Sequence, residues 1–213
     1  MRVSSKSARC TSYSNDEKTQ PWLKLLLDAY AVIDEGVAHG VAEEEKKRGI
    51  RLACTKGCGN CCVTHRDIPV YPLELVGIYW FVIEKMSQPL RSIVKKQLLE
   101  HRKGGSCPFL VDAACSIHQM RPAACRQFNV FNKPCETGED PFYTRRADVL
   151  KPGAKHIDKA FSIMLPFYGI SDKREIKQAS AMRLINSLVR PLQLCPWHEL
   201  PVRMDEFDIS KKQ

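Results

Sequence analysis

The spacing of apolar positions predicts helices along most of the chain. From Pro21, the residues Leu26, Tyr30, Ile33, Val37 and Val41 recur at steps of three or four, which places them on one helical face. Gly36 and Gly40 weaken this helix. Glu43–Lys47 and Glu44–Arg48 support its last turns as i,i+4 pairs, and Gly49 can end it. The stretch "DIPVYPLELVGIYWFVIEKM" starts extended, and Pro72 can open a helix. Leu75, Tyr79, Val82 and Met86 mark one face of that helix, with Val76, Trp80 and Ile83 on the next. So wide an apolar surface predicts burial, with the aromatic residues in the core. A further helix follows Pro89 through Leu90, Val94 and Leu98, and Gly104–Gly105 stop it.

The pattern changes over residues 106–135. "SCPFLVDAACSIH" reads as two short extended pieces around a turn, and "RPAACRQF" as a short helix opened by Pro122. Helical spacing returns over 154–165, breaks at Pro166 and resumes over 172–190. That last helix is capped by Asp172 with Glu175 and stops before Pro191. No internal repeat or low-complexity segment is evident. Residues 1–19 are polar and read as a flexible segment, and residues 20–213 as a single helical domain. Within it, 54–135 is a cysteine-cluster core and 136–213 a helical C-terminal extension.

Composition narrows the class. The 213 residues are 44% hydrophobic and 27% charged, the balance of a globular chain. No run approaches the roughly 20 apolar residues that span a bilayer, and the N-terminal stretch lacks the apolar core of a secretory signal. The expectation is a soluble cytoplasmic protein with no membrane partner. The formal charge is +9, which invites an acidic partner. However, eight thiolates around two divalent ions would carry about −4 and balance part of that excess.

The cysteines change the picture most. Ten occur in the chain, eight of them spaced C54-x3-C58-x2-C61-C62, then C107-x7-C115-x9-C125-x9-C135. In a reducing compartment such clusters are metal ligands or catalytic thiols more often than disulfides, and a disulfide framework is the alternative. Spacings of two or three let thiolates from one loop converge on an ion. Glycine at positions 57 and 59 allows the φ > 0 turns that fold a loop around it. Adjacent Cys61 and Cys62 chelate one tetrahedral ion only with strain, so the pair points to two metals or a cluster. Cys125 falls in the first turn of its helix, where the helix dipole, Arg121 and Arg126 favour a thiolate. Those arginines are equally readable as hydrogen-bond donors to sulfur, partners of a carboxylate, or solvated surface.

The fold class expected is therefore mainly α, with helices packed around an irregular cysteine-rich metal centre and little β structure. Ligand softness admits zinc, iron or an iron–sulfur cluster, and also Cu(I). His65 and His118 lie beside the cysteines and could act as substitute ligands, although a histidine so placed more often supports a ligand or faces solvent. Cys195 reads as a buried structural cysteine and Cys10 as a free thiol. Asp67, Glu74 and Asp112 read as solvated carboxylates.

"CTKGCGNCC", "CPFLVDAACSIHQMRPAACRQF" and Cys135 together resemble the YkgJ-type cysteine-cluster family, a zinc- or iron-chelating domain. The resemblance covers residues 54–135. It implies that Cys54, Cys58, Cys61, Cys62, Cys107, Cys115, Cys125 and Cys135 are the metal ligands. His118 stands where that family often has tyrosine. A related branch, the flagellin lysine N-methylases, has a similar cysteine pattern and uses S-adenosylmethionine. This chain shows no Gly-rich strand–turn–helix for such a donor, and that activity is not transferred.

Three functions follow. The first is a metal-binding protein whose zinc or iron centre serves metal handling, redox sensing or structure. The second is an enzyme, methyltransferase-like or redox, whose cluster activates a substrate. The third is a zinc-stabilised nucleic-acid binder, suggested by "KKQLLEHRK" at 95–103. The eight-thiol pattern favours the first. No acid–base pair emerges for the second, and the basic residues at 95–103 read as a solvated helix face.

Overall fold

A computed structural model describes residues 11–55 and 57–211. Ten of the nineteen residues expected to form a flexible segment, Cys10 among them, lie outside the described residues. In chain order the described helices begin with α1 (Ser14–Thr19), α2 (Pro21–Arg48), α3 (Asn60–Thr64), α4 (Pro72–Trp80) and α5 (Leu90–Glu100). They continue with α6 (Ala123–Gln127), α7 (Pro141–Thr144), α8 (Ala154–Met164), α9 (Lys173–Ala181) and α10 (Leu200–Ser210). Four two-residue strands make two small antiparallel pairs. β1 (Pro69–Val70) joins β4 (Arg190–Pro191), and β2 (Leu110–Val111) joins β3 (Ala114–Cys115). The molecule is mainly α, as its periodicity predicts.

The chain forms two compact units. One comprises residues 1–50 and 150–188; the other comprises 51–149 and 189–213. In the first unit α2 packs along α8. Leu23, Leu26, Tyr30 and Ile33 of α2 are buried, as is Gly36. Val37 and Val41, expected on the same stripe, are half-buried. Gly36 is needed for close approach, since a Cβ there would lie 2.6 Å from the His156 side chain of α8. At the end of α2, Glu44 pairs with Arg48 as expected, whereas Glu43 pairs with His39. Gly49 closes the helix in the left-handed conformation, at φ 67°.

Helix α9 ends about nine residues earlier than its spacing suggests. Asp172 caps its start by accepting from the Arg174 and Glu175 amides. The chain then breaks at Arg183, whose φ is +49°, and continues as a 3₁₀ turn over Leu184–Leu188. Arg190–Pro191 is drawn into the pairing with Pro69–Val70, and a residue preceding proline disfavours helix.

The second unit is built around Trp197. Its indole packs edge-on against Phe109, with ring centroids 4.8 Å apart, and leans on Tyr79 at 5.5 Å. The indole N–H donates to the Leu192 carbonyl at 2.6 Å. Ile78, Val82, Val94, Leu98, Ile117 and Met204 surround it, and Cys62, Cys115 and Cys125 pack against this core. Along α4 the buried residues are Leu73, Glu74, Gly77, Ile78 and Trp80. Val76 is at the surface, so burial is narrower than the apolar run suggests. Cys195 is buried in the same core with its thiol on the Pro191 carbonyl.

Beyond Trp80 the helix relaxes into one π-helical turn, Phe81–Lys85. Carbonyls in a last turn lack intrahelical partners. Here Arg91 of α5 supplies them, donating Nη1 to the Val82 and Ile83 carbonyls at 2.7 Å each. Its Nη2 reaches the Met204 carbonyl and, at 2.8 Å, Asp208 of α10. One buried guanidinium thus ties three elements together. Arg91→Ala would leave these acceptors unpaired and is expected to lower stability by about 3 kcal/mol. Arg91→Lys should restore only part of the loss, because an ammonium lacks the planar fork. Denaturant unfolding of the two variants checks this.

Candidate metal centre

The cysteine-rich segment begins beside a short backbone bridge. Leu52 pairs with Phe131, and the Ala53 amide donates to the Val130 carbonyl at 2.8 Å. The Val130 amide points back at the Cys54 sulfur, 3.3 Å away. A turn at Gly57, with φ +86°, lets the Cys58 amide reach the Thr55 carbonyl. Gly59 acts differently from the φ > 0 turn expected of it. Its φ is −110°, and it is needed because a Cβ would meet Leu110 Cδ1 at 2.6 Å and the Ala113 carbonyl oxygen at 2.7 Å. This contact seats the loop on the β2–β3 hairpin.

Cys61 and Cys62 then lie on α3, a five-residue helix absent from the sequence reading. The Cys107 amide donates to the Cys62 carbonyl at 2.8 Å, bringing the second cysteine group alongside the first. Cys115 sits on β3 opposite Leu110. Cys125 is carried by α6, and Asn60 holds the Cys135 backbone by donating to its carbonyl at 2.7 Å. Nine cysteines are described and all are free thiols, so no disulfide framework is present among the described residues.

The sulfurs fall into two adjoining sets. Cys62 hydrogen-bonds Cys107 and lies within electrostatic reach of Cys115, while Cys125 feels Cys115 and Cys62. Cys54 and Cys135 both feel Cys58, and Cys135 feels Cys54. Cys61 stands between the sets: it hydrogen-bonds Cys62 and acts on Cys54, Cys115 and Cys125. Cys107 is buried and Cys58 exposed; the other six are half-buried.

Burial raises the thiols. Cys125 is pushed well above its ordinary value by desolvation and by neighbouring sulfurs, and burial likewise raises Cys115, Cys54 and Cys135. Cys62 is pushed up to about 12, chiefly by its hydrogen bond with Cys107. The Cys61–Cys62 hydrogen bond raises Cys61 further. Arg121 opposes the shift at Cys54 and Cys115, Arg126 at Cys115 and Arg145 at Cys135. Left alone, this cluster holds protons on its sulfurs. A soft divalent cation among them would supply the missing positive charge and take the protons' places. The donor set fits zinc or iron on that ground. Among the described residues, no three His, Cys, Asp or Glu side chains already close on one point as a finished coordination shell.

Several supporting residues are not solvated as their types suggest. Glu74 is fully buried. Its Oε2 accepts from the Tyr71 amide at 3.0 Å and its Oε1 from the Ala123 amide at 2.6 Å, so it caps α4 and pins the start of α6 beside Cys125. Asp67 and Asp112 are exposed as expected. Arg126 is buried and donates to the Arg121 and Gln119 carbonyls. Arg121 bonds His118, and its buried Nε has no hydrogen-bond partner among the described residues. His118 itself is exposed.

Residues 53–149 match the CxxCxxCC family, described as a "putative zinc- or iron-chelating domain". The match covers 97 of the 213 residues. The match runs past Cys135 and so takes in α7, Glu139, Asp140 and Arg145. No curated protein and no solved structure matches the chain. Zinc or iron chelation, as that family is described, is in keeping with the soft donor set of this chain. Among the described residues, no helix is long and apolar enough to cross a membrane.

Sequence reasoning missed the α7 end of the site. Glu139 accepts from Arg145 Nε at 2.8 Å, and Arg145 also reaches the Phe131 carbonyl, Asp148 and the Cys135 sulfur. The available signal was Asp140 before Pro141, the pattern of a cap followed by proline at the first helical position.

Two predictions follow from this geometry. Gly59→Ala should destabilise the protein by about 1–3 kcal/mol through overpacking on the hairpin. Gly57→Ala, where a Cβ meets nothing within 4 Å, should show only the backbone strain of about 1 kcal/mol. Unfolding midpoints compare them, and equal losses would count against the close-approach role of Gly59. The second concerns Glu139, which the Arg145 guanidinium pulls down to about 2. A carboxylate with a depressed value contributes stability that is complete above the ordinary carboxylate range and is lost as pH falls towards 2. Glu139→Gln should therefore be less stable than wild type at pH 7, with the gap narrowing between about pH 4 and pH 3. Unfolding midpoints measured across that range test the sign.

Proposed function

We propose that the protein binds zinc or iron through about eight cysteine thiolates, and that this centre organises residues 51–149. The reading is supported by the mutual electrostatic reach of Cys54, Cys58 and Cys135, and of Cys62, Cys107, Cys115 and Cys125, with Cys61 acting on members of both groups. These are groups of three and four thiols, with Cys61 between them. Four thiolates are the complement of one tetrahedral zinc, and also of one iron–sulfur cluster. Adjacent cysteines directed to different sets avoid the strain of sharing one ion. When bound, the metal supplies a positive charge that keeps the sulfurs deprotonated and crosslinks segments far apart in sequence.

The chain's own residues support that task. Glu74 fixes the helix that carries Cys125, Asn60 fixes the Cys135 backbone, and Arg121 and Arg126 bring positive charge to the thiolates. The Trp197 core shields one side of the set from water, which strengthens metal–thiolate electrostatics. A structural and metal-holding role is favoured over catalysis, since the carboxylates near the cysteines are either capping backbone amides or exposed.

The test is metal content with an absorption spectrum, on protein purified without oxygen. About two zinc ions per chain in a colourless solution would support paired four-thiolate sites. Iron with acid-labile sulfide and broad visible absorption would support a cluster. Substoichiometric metal with either spectrum would sink the reading. Metal removal by a chelator should also unfold residues 51–149, because binding free energy at a structural site is folding free energy. Circular dichroism that does not change on removal would argue against the structural role.

A further inference from the structure

The first unit carries positive charge that its own carboxylates do not meet. Residues 150–188 hold seven basic and three acidic residues. All seven basic side chains, from Lys151 to Arg183, are exposed, and none forms an ion pair among the described residues. Of the acidic three, Asp172 accepts two amides as the cap of α9, and Glu175 is exposed. Lys155 and Lys159 lie one turn apart on α8, as do Lys173 and Lys177 on α9. Like charges so spaced repel and cost a helix stability. The contact between the helices brings the two rows together. Ser162 Oγ meets Ser180 Oγ at 2.8 Å, and each serine lies three residues after a lysine, Lys159 and Lys177, as its neighbour on the helix surface.

Ser180 also lines a cleft of about 130 Å³ between α8, α9 and the 3₁₀ turn. Ile157, Phe161 and Leu165 of α8, Ala179 of α9 and Ile185 of the turn give it an apolar lining. The exposed Arg183 and Asp158 line it as well. An apolar cavity of about 150 Å³ takes up benzene, so this cleft has room for one apolar side chain. Beyond Ala181, Met182, Leu184 and Leu188 keep apolar side chains at the surface, Met182 at 70% exposure. Exposed apolar surface rimmed by charge marks an interaction site.

The occupant that fits is apolar at one point and anionic around it. Nucleic acid would satisfy the lysines and leave the apolar cleft unfilled, and a bilayer surface is too flat to enter it. From this arrangement we infer that the α8–α9 face binds an acidic peptide segment of a partner protein, with one apolar side chain of that segment anchored in the cleft. The anchor supplies affinity. The lysines and Arg183 steer the acidic residues and set their orientation, and Asp158 is the opposing charge at the cleft. The site lies in the first unit and uses none of the cysteines, so it stands or falls apart from the metal-centre reading.

Random dodecapeptides displayed on phage and selected on the full chain at low salt test this. The enriched sequences are expected to be acidic and to share one leucine, isoleucine, methionine or phenylalanine. Fluorescence anisotropy then compares the leading peptide across variants. Lys155→Glu with Lys177→Glu should weaken its binding about tenfold or more. Ala154→Phe, which fills the cleft from an exposed lining position, should do the same. Asp158→Asn should tighten binding, and added salt should weaken it. These positions are exposed, and circular dichroism of each variant checks that it folds. No enrichment, enrichment of basic or neutral sequences, or equal binding to the doubly reversed variant would overturn the inference. Tighter binding of duplex DNA, or of vesicles of equal parts phosphatidylcholine and phosphatidylserine, than of any selected peptide would also overturn it.

Discussion

Everything around residues 53–149 answers one constraint: several thiols are brought together, largely out of water, at a separation where at most a few could ionise unaided. Desolvation and mutual repulsion both push their protons back on. Such a cluster persists as a functional arrangement only where something positive enters it. The surrounding architecture is directed at holding sulfurs in position. Cys107 is tied through its amide to Cys62, Cys135 through its carbonyl to Asn60, and Cys125 through the Glu74 carboxylate at the start of its helix. The match to a zinc- or iron-chelating family model over residues 53–149 agrees with this soft donor set.

The charges near the cluster are arranged with matching economy. Glu74 is buried and sits on the amide end of a helix, where a negative charge is favoured. Glu139 and Asp148 are engaged by Arg145, whose Nη2 also reaches the Cys135 sulfur. Carboxylate charge beside Cys135 is thereby kept occupied, and Arg121 and Arg126 also act on the Cys115 sulfur. Part of the excess of basic residues thus has a local purpose, and it need not signal nucleic acid.

The long helices were legible because their apolar spacing is set by burial on one side, as in α2, α5 and α8. The cysteine clustering was legible for a different reason: soft donors crowded at short spacing have few other uses. What escaped depends on contacts between distant segments. The short helix at Cys61 and Cys62 has too few residues to display a period. α9 stops early at the left-handed Arg183, and Arg190–Pro191 is taken by a strand partner more than 100 residues away. Glu74 looks like any surface glutamate until Ala123 is placed against it, and His65 pairs with Asp140, 75 residues later. Local pattern specifies elements; the identity of a buried polar group is decided by what folds onto it.

The C-terminal segment shows why the matched domain is smaller than the unit that holds the site. Residues 189–211 lie beyond the 53–149 match but belong to the same compact unit. Trp197, Leu200 and Met204 fill the core against which Cys62, Cys115 and Cys125 pack. Gln193, fully buried, both accepts from the Ile68 amide and donates to the His65 carbonyl, and its own carbonyl accepts from the Gly104 amide. One side chain therefore bonds both ends of the segment that leaves α3 and enters β1. Without it, the loop carrying His65 would keep its sequence but lose the two hydrogen bonds that fix its path, along with the apolar floor beneath the cysteines. The cysteine motif lies in one stretch of the chain, while the segment after residue 188 supplies the apolar floor against which Cys62, Cys115 and Cys125 pack.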